Sequence, residues 1–239
     1  NMYFLDSSLL EKTTMLAVAM TLLAVASAAD LTLVTFDDDP TTGQRSWADM
    51  NDPVMGGKSS SSFSTKSNLG IFSGYVAVVP FLKAPGFCKV ATQRGWFQPS
   101  RIANASKYID GALYITARST TPDYKGFKVA FTAKNTTRPH SGGVHHAGPS
   151  FKAGFAVPAG DDFATIRVPF SDFSVDWSEF TGRCDTKDPT GVQHVCCSAD
   201  HPEVCPMAHH LANLLSFEIW AEGVEGKFGI LLKRIAAGP

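Results

Sequence analysis

The sequence predicts an all-β protein, an antiparallel jelly-roll β-sandwich with a cysteine-rich loop insertion. Short segments alternate apolar and polar residues, and turn residues separate them about every ten positions, which is the pattern of sandwiches and jelly rolls. The 239 residues are 44% hydrophobic and 18% charged with a net charge of −1, a composition typical of a globular chain. Neither a repeat nor a linker divides the sequence, so we expect a single domain over residues 30–239.

The predicted strands carry their apolar residues at every second position. In the segment 111–119, for example, Leu113, Ile115 and Ala117 fall on one face. Only "PMAHHLANLL" (206–215) has the pattern of a helical turn or two. In chain order, the strands are predicted at 31–36, 69–79, 86–94, 111–119, 126–133, 151–157, 165–170, 214–223 and 226–235.

The N-terminal segment 1–29 is predicted to be a cleaved signal peptide. "MLAVAMTLLAVASAAD" (15–30) is an apolar run that ends in small residues, and its length suits a signal peptide better than a membrane-spanning helix. Because Lys12 is the only cation before this run, a retained signal anchor is the alternative. We expect the mature chain to begin at Ala29 or Asp30 and to be extracytoplasmic, either in the secretory pathway or secreted, or in a thylakoid lumen.

The cysteines agree with an oxidising compartment. A polar insertion at 181–210 contains Cys184, Cys196, Cys197 and Cys205. Adjacent cysteines rarely pair with each other, so we expect two disulfides, in which Cys184 bonds to one of the adjacent pair and Cys205 to the other. Zinc is the less favoured alternative, because Pro202 and Pro206 break the helix that would align the ligands. Cys88 lies alone in a strand, on the same face as Val90, and is expected to remain a buried free thiol.

Two N-glycosylation sequons lie in polar segments, "NAS" at Asn104 and "NTT" at Asn135. Sequons occur often by chance, so each is a candidate site only. Together with the apolar N-terminal run and the clustered cysteines, they favour a protein that resides in an oxidising compartment.

The sequence contains no recognisable catalytic motif. Neither GxSxG nor HExxH occurs, and carboxylate pairs lie at turns. We therefore predict a non-enzymatic protein with no cofactor and no metal, although the acidic turn 37–39 offers calcium ligands and His145-His146 offers a weak transition-metal or pH-sensing site. The near-zero net charge and the lack of any Lys/Arg run argue against nucleic acid as a partner.

One stretch, "WADMNDPVMGGKSSSSF" (47–63), resembles the signature of the complex I intermediate-associated protein 30 family. The resemblance continues in order over 31–235, through "GIFSGYV", "GFCKV", "YIDGALYITARS", "YKGFKVAF", "FKAGF", "IRVPFSDF" and "FEIWAEGVEGKFGILLKRI". It implies a galactose-binding-like jelly-roll β-sandwich. It also implies a role in assembling a membrane complex, since members of the family assist respiratory complex I and relatives in photosynthetic organisms assist photosystem biogenesis.

The same stretch supplies the candidate site. Asn51, Asp52 and Pro53 have the composition of a turn in which Asx side chains bond to backbone amides, and the glycine pair allows positive φ or a close backbone approach. A turn that closes one end of the sandwich and a surface for a partner or ligand are both open. The candidate residues are Trp47, Asn51, Asp52, Met55, Gly56 and Gly57.

The function expected from these observations is a non-enzymatic binding, scaffold or assembly subunit. Its partners would be proteins, in the setting of a respiratory or photosynthetic membrane complex. The alternative is a secreted carbohydrate-binding, lectin-like module, in which exposed Trp96, Trp177 and Trp220 would stack on sugar rings of a glycan.

Overall fold

The computed structural model describes residues 30–37, 45–52, 57–80, 83–93, 101–139 and 149–239, and these residues build two antiparallel sheets that pack face to face. This arrangement confirms the predicted β-sandwich. The strands are β1 (Leu31–Thr35), β2 (Trp47–Asn51), β3 (Ser60–Lys66), β4 (Leu69–Val76), β5 (Val78–Val79), β6 (Ala84–Pro85), β7 (Phe87–Thr92), β8 (Ala112–Ser119), β9 (Phe127–Ala133), β10 (Phe151–Gly154), β11 (Ala164–Pro169), β12 (Thr186–Lys187), β13 (Gln193–His194), β14 (Leu214–Glu222) and β15 (Gly226–Gly238).

The two large sheets are joined by the connection between the last two strands. Sheet A has the strand order β11-β8-β15-β4-β3, with β1 also paired to β15, and sheet B has the order β10-β9-β14-β7-β2. The chain passes from β14 in sheet B to β15 in sheet A through a tight turn, where Gly223 has a φ of 72°. β1, the first described strand, pairs with β15, the last strand, and Leu31 lies opposite Ala237.

The core between the sheets is rich in phenylalanine. Phe127, Val129 and Phe131 of β9 alternate with outward-facing residues, and each is 2% exposed or less. Phe131 is in ring contact with both Phe151 and Phe173. Burying an apolar side chain of this size stabilises the folded state by roughly 1.5–3 kcal/mol. The apolar residues at every second position therefore provide the energy that holds the two sheets together.

Among the strands of the two large sheets, β2 and β3 are not predicted from the sequence. β3 lies at the edge of sheet A and is mostly serine, and most of its side chains are exposed or only partly buried. Such a strand shows little apolar alternation, because neither of its faces is fully covered. Of the turn expected at 51–53, Asn51 is the last residue of β2 and pairs with Cys88 of β7, and Pro53 lies outside the described residues.

The cysteine-rich insertion is compact and cross-linked. It contains the small hairpin β12–β13, a 3-10 turn at Pro202–Val204 and the short helix α1 (Ala208–Leu211), which confirms the predicted helical turn. Disulfides join Cys184 to Cys196 and Cys197 to Cys205, and Cys88 is free and buried, as predicted.

The described residues contain neither a candidate membrane-spanning helix nor a candidate metal site. No helix there has the length and apolar character needed to cross a membrane. Nor do those residues bring together three or more His, Cys, Asp or Glu side chains suited to holding a metal ion. The predicted signal peptide, the acidic residues after Asp37 and His145-His146 lie outside the described residues.

Candidate functional site

Trp47 lies at one end of the sandwich, in an aromatic group that links the two sheets. Its ring centroid is 5.4 Å from that of Phe36 and 5.6 Å from that of Phe63. Since Phe36 follows β1 and Phe63 belongs to β3, the indole of Trp47 in β2 covers the core at this end. Met55 and Gly56 lie outside the described residues.

Asn51 and Asp52 at the end of β2, and Gly57 shortly before β3, are tightly packed. Oδ1 of Asn51 accepts a hydrogen bond from Oγ of Ser61 at 2.5 Å, so its partner is a hydroxyl and not the expected backbone amide. Asp52 is buried, and its backbone N–H donates to the carbonyl of Phe87. A Cβ on Gly57 would lie 2.6 Å from Cγ of Asp52, and closer still to its backbone oxygen. This close approach requires glycine and agrees with a turn that closes the sandwich; a partner-binding role for these residues stays a prediction.

A second and more unusual group lies on the outer face of sheet B. Because side chains alternate along a strand, the residues between the core positions point away from sheet A. On this outer face, five charged residues and one tryptophan are buried, each with 8% exposure or less. We call this group the charged face; it comprises Lys89 of β7, Lys128 of β9, Lys152 of β10, and Glu218, Trp220 and Glu222 of β14.

One row of residues crosses all five strands of this face. Strand register places Gly154 opposite Lys128, Lys128 opposite Trp220, Trp220 opposite Lys89, and Lys89 opposite Met50. The three middle residues of the row are buried, whereas Gly154 and Met50 at its two ends are exposed. The charged face therefore has one exposed residue at each end of this row.

The charges of the face are paired with one another. Nζ of Lys152 lies 2.7 Å from Oε1 of Glu222, and Nζ of Lys128 lies 3.9 Å from the same oxygen. Nζ of Lys89 lies 3.2 Å from Oε1 of Glu218. The indole N–H of Trp220 donates to Oε2 of Glu218 at 2.8 Å. These contacts compensate part of the cost of removing the charges from water.

Lys152 lies between two indole rings. Its Nζ is 3.5 Å from the ring centroids of both Trp177 and Trp220, a cation–π arrangement on two sides. The side chain is fully buried, and burial lowers the pKa of Lys152 to about 8 although Glu222 favours the charged form.

Trp177 and Trp220 were expected to be exposed and to stack on sugars, and that prediction is wrong. They are 2% and 3% exposed. Besides Lys152, the Arg138 guanidinium lies 4.2 Å from the Trp177 centroid and Nζ of Lys89 lies 4.6 Å from that of Trp220. Cations therefore occupy the indole faces that a sugar ring would need. Trp96, the third residue of that prediction, lies outside the described residues.

Residues 174–183, which we call the cover segment, close the charged face on its β10 side. Lys152 and Ser174 exchange backbone hydrogen bonds at 2.9 and 3.1 Å, which extends the sheet beyond β10. Trp177 then donates its indole N–H to the Ser150 carbonyl at 2.8 Å. At Gly182 the backbone has a φ of 64°, and a Cβ would lie 2.7 Å from Oε2 of Glu222 and nearer still to Oε1. The glycine lets the segment pass directly over the carboxylate.

His194 ties the cover segment to the cysteine-rich insertion. Its Nδ1 lies 2.7 Å from a carboxylate oxygen of Asp176, and its Nε2 lies 3.0 Å from one of Asp188. The Val195 N–H donates to the other Asp176 oxygen at 3.0 Å. Burial alone would raise the pKa of Asp188, but hydrogen bonds from Thr190 and His194 hold it below its ordinary value. The disulfide-bonded insertion thus fixes the position of the cover segment.

The two sequons lie on exposed turns. Oδ1 of Asn104 accepts hydrogen bonds from the backbone N–H and the hydroxyl of Ser106, at 3.0 and 2.7 Å. Asn135 has a φ of 63°, in the left-handed region that asparagine tolerates. Both side chains remain candidates for glycosylation.

The sequence model of the Complex I intermediate-associated protein 30 (CIA30) family matches residues 34–194, which is more than half of the chain. The chain belongs to the CIA30 family. This confirms the resemblance seen in the stretch 47–63. The match includes the cover segment, and it ends inside the cysteine-rich insertion of this CIA30 protein, at His194.

Other comparisons give more distant similarities. No sequence among functionally curated proteins matches the chain. The family 11 carbohydrate-binding module of the cellulosomal cellulase Lic26A-Cel5E of Clostridium thermocellum is 16% identical, with a TM-score of 0.45 over 88% of this chain and 95% of the module. The agarase AgWH50C is 12% identical, with a TM-score of 0.46 over 88% of this chain. PfGH50B is 11% identical, with a TM-score of 0.42 over 81% of this chain. This CIA30 chain spans about a quarter of the length of each of the last two proteins, 25% and 22%.

The charged face of this CIA30 protein was missed in the sequence, although a signal for it exists. The strand segments "FCKV", "GFKVAF", "FKAG" and "FEIWAE" each carry a lysine or glutamate among apolar residues. The alternation places all of these charges on the same side of their strands. Only the strand order brings the four segments together, and the sequence does not state that order.

Proposed function

We propose that the chain is a non-enzymatic binding and assembly subunit, and that its protein partner contacts the charged face of sheet B. The observation that carries this proposal is the burial of five charged side chains on one sheet face, three lysines and two glutamates. Buried ion pairs are seldom more stabilising than apolar residues of similar volume, so stability of the fold does not account for them. Fixed, complementary charges do give specificity to an interface.

Binding fits the chemistry of this face better than catalysis does. Lys152, whose pKa is lowered to about 8, has the property of a general base. Its side chain, however, is 0% exposed and lies against Glu222 and two indoles, so a substrate has no access to it. The arrangement holds charges in place and offers no reachable reactive group among the face residues.

The partner would approach from the β2 edge. Met50 is 49% exposed and lies opposite Lys89, at the end of the row that leads to Trp220. An edge strand also presents backbone groups that a partner can pair with. An exposed methionine beside a partly covered lysine–glutamate pair is a suitable anchor for a protein surface.

A protein partner is favoured over a glycan because the indole faces of Trp177 and Trp220 are covered by cations. Membership of the CIA30 family supports a partner that belongs to a membrane complex, respiratory or photosynthetic. The two disulfides support action outside the cytosol, in the secretory pathway or a thylakoid lumen. In this proposal the signal peptide is removed, and the mature protein begins at Ala29 or Asp30.

The experiment is an affinity purification of the tagged protein from membranes of its source, solubilised in mild detergent, with wild type and two variants. Met50→Glu places a charge at the proposed edge, and Phe163→Glu is the matched control, because Phe163 is 37% exposed and precedes β11 in the other sheet. We expect a stoichiometric membrane complex with the wild type and the control, and its loss with Met50→Glu. Specific binding on a glycan array, without any stoichiometric protein partner, would instead support the carbohydrate-binding alternative.

A further inference from the structure

The six strands of sheet A contain cations but no acidic residue. The strands of sheet B, in contrast, combine lysines with aspartate and glutamate. Since the net charge of the whole chain is −1, the cations of sheet A are a local excess and do not follow from the composition. They are Lys66 of β3, Arg118 of β8, Arg167 of β11, and Lys227, Lys233 and Arg234 of β15.

These cations lie on the outer face of sheet A, because the residues that alternate with them fill the core. In β15, for example, Phe228, Ile230 and Leu232 are at most 2% exposed, which places Lys227 on the other side of the strand. We call this outer surface the cationic face. Four of its cations are exposed and two are partly buried; the exposed ones are Lys66, Arg167, Lys227 and Lys233.

Most of the charges on the cationic face are unpaired. Within the described ranges, only Arg234 among the six cations has a carboxylate partner, Asp30 at 3.8 Å. Glu225 accepts a hydrogen bond from the hydroxyl of Tyr75 at 3.2 Å. Asp30 and Glu225 each directly precede a strand, β1 and β15, so these two carboxylates lie at the rim. An anion on this face would therefore meet exposed lysines without displacing an existing ion pair.

The cationic face is broad and has an apolar centre. Leu231 lies opposite Ile71 on one side and Arg118 on the other, and Tyr75, which is 39% exposed, lies opposite Lys227. Neighbouring strands are about 4.8 Å apart, and a strand rises about 3.4 Å per residue. Along β15, and across the five strands from β3 to β11, the cations are thus spread over roughly 20 Å in each direction.

We propose that the cationic face binds an anionic lipid surface and holds the protein against a membrane. The charge of such a surface is spread over a plane, which matches cations that are spread over an open sheet face. Lipid-binding clusters commonly contain about four to eight Lys and Arg residues. Lysine and arginine can bury their aliphatic parts at this interface while their charged ends stay in water, and tyrosine is enriched there.

A membrane is favoured over an acidic protein segment because the cations do not converge on one point. Lys66 and Arg167 lie on β3 and β11, the two edge strands listed for sheet A at opposite ends of its order, so one acidic side chain cannot reach both. The inference does not depend on the proposed docking edge, but it is compatible with it. The hydrogen bond between Asn51 and Ser61 shows that β2 lies beside β3, so a membrane protein next to the cationic face can reach β2.

The test is co-sedimentation of the intact, disulfide-bonded protein with lipid vesicles at about 0.15 M salt, where the Debye length is about 8 Å. Vesicles of phosphatidylcholine and phosphatidylserine at about 7:3 present the anionic surface, and pure phosphatidylcholine is the neutral control. Polyglutamate is the rival probe, for an acidic polypeptide. The double variant Lys227→Gln/Lys233→Gln removes two exposed cations of the face. Lys134→Gln/Lys187→Gln is matched in net charge, and its exposed positions lie outside sheet A, after β9 and in β12.

We expect the wild type to bind the anionic vesicles but not the neutral ones, and to bind more weakly as the salt is raised. Each lysine at such a surface changes the partitioning about fivefold, so Lys227→Gln/Lys233→Gln should weaken it about 25-fold and the control pair by about twofold or less. Equal losses in the two double variants would overturn the cationic face. If polyglutamate binds in a manner sensitive to Lys227→Gln/Lys233→Gln and the vesicles do not bind, lipid is overturned as the occupant.

The outcome is separable from that of the proposed function. The vesicles contain no protein, so a wild type that fails to bind them refutes the lipid surface whatever the affinity purification gives. If Lys227→Gln/Lys233→Gln loses vesicle binding but keeps its stoichiometric complex in detergent, the lipid surface is supported and the docking edge stands. If Met50→Glu keeps its full complex while the wild type binds anionic vesicles, the docking edge is refuted and the lipid surface stands.

Discussion

Replacing Lys152 by methionine should change how the stability of the protein depends on pH. Burial lowers the pKa of Lys152 from 10.5 to about 8. Since the unfolded chain binds this proton more tightly, the folded protein is penalised by about 3 kcal/mol at pH values below 8. As the pH rises from about 8 towards 10.5, the lysine loses its proton in the folded state first, so the penalty disappears and the folded state becomes more stable.

The difference in the free energy of unfolding between wild type and Lys152→Met isolates this effect. From about pH 7 to about pH 9.5, the linkage relation predicts that the difference moves in favour of the wild type by about 2 kcal/mol. Both proteins should carry Cys88→Ala, because the free thiol would ionise in this range once unfolded and attack the disulfides. Lys128, whose pKa is also lowered, is present in both proteins, so its own contribution cancels to first order.

Urea unfolding followed by tryptophan fluorescence is a suitable assay, because Trp177 and Trp220 enclose the lysine. A difference in unfolding free energy that stays constant between the two pH values would refute the reasoning, since Lys152 would then titrate as it does in water. A difference that moves in favour of the variant as the pH rises would refute it as well, because the sign of the linkage would be reversed.

Three further predictions concern the other parts of the structure. Gly57→Val should destabilise the protein by about 2–3 kcal/mol, because a side chain there overlaps Asp52. Asp52→Ala should destabilise it less, by roughly 1 kcal/mol. If both variants melt at the same temperature as the wild type, a structural turn is excluded. Mass spectrometry of the unreduced protein should find one alkylatable thiol, Cys88, and only after denaturation. Each disulfide of the insertion should contribute about 2–4 kcal/mol to the free energy of unfolding. More than one reactive thiol would contradict the pairing. His194→Gln should remove the imidazole that bridges the carboxylates of Asp176 and Asp188 and lower stability by about 1–3 kcal/mol, with a rise in proteolysis at the cover segment. Unchanged proteolysis would show that this histidine does not hold the segment.

The sequence by itself determined the β-sandwich and the disulfide framework. Alternation along a strand is a local property, so the buried set of a strand such as β9 is readable from "GFKVAF" without knowledge of its neighbours. The cysteines of the insertion are close in sequence, with separations of 12 and 8 residues, so few pairings were open. The close approach at Gly57 was likewise readable from the glycine pair beside a turn-forming Asp.

Only the tertiary structure decided the charged face and the burial of its tryptophans. Lys89, Lys128 and Lys152 come from three strands, and their common neighbourhood depends on the order β10-β9-β14-β7, which is set by long-range pairing. A tryptophan in a polar loop is predicted to be exposed. Trp177 is nevertheless buried, because Lys152 of the sheet packs against one face of its ring. Cation–π contacts and shared ion pairs form between residues distant in sequence, and no local pattern encodes them.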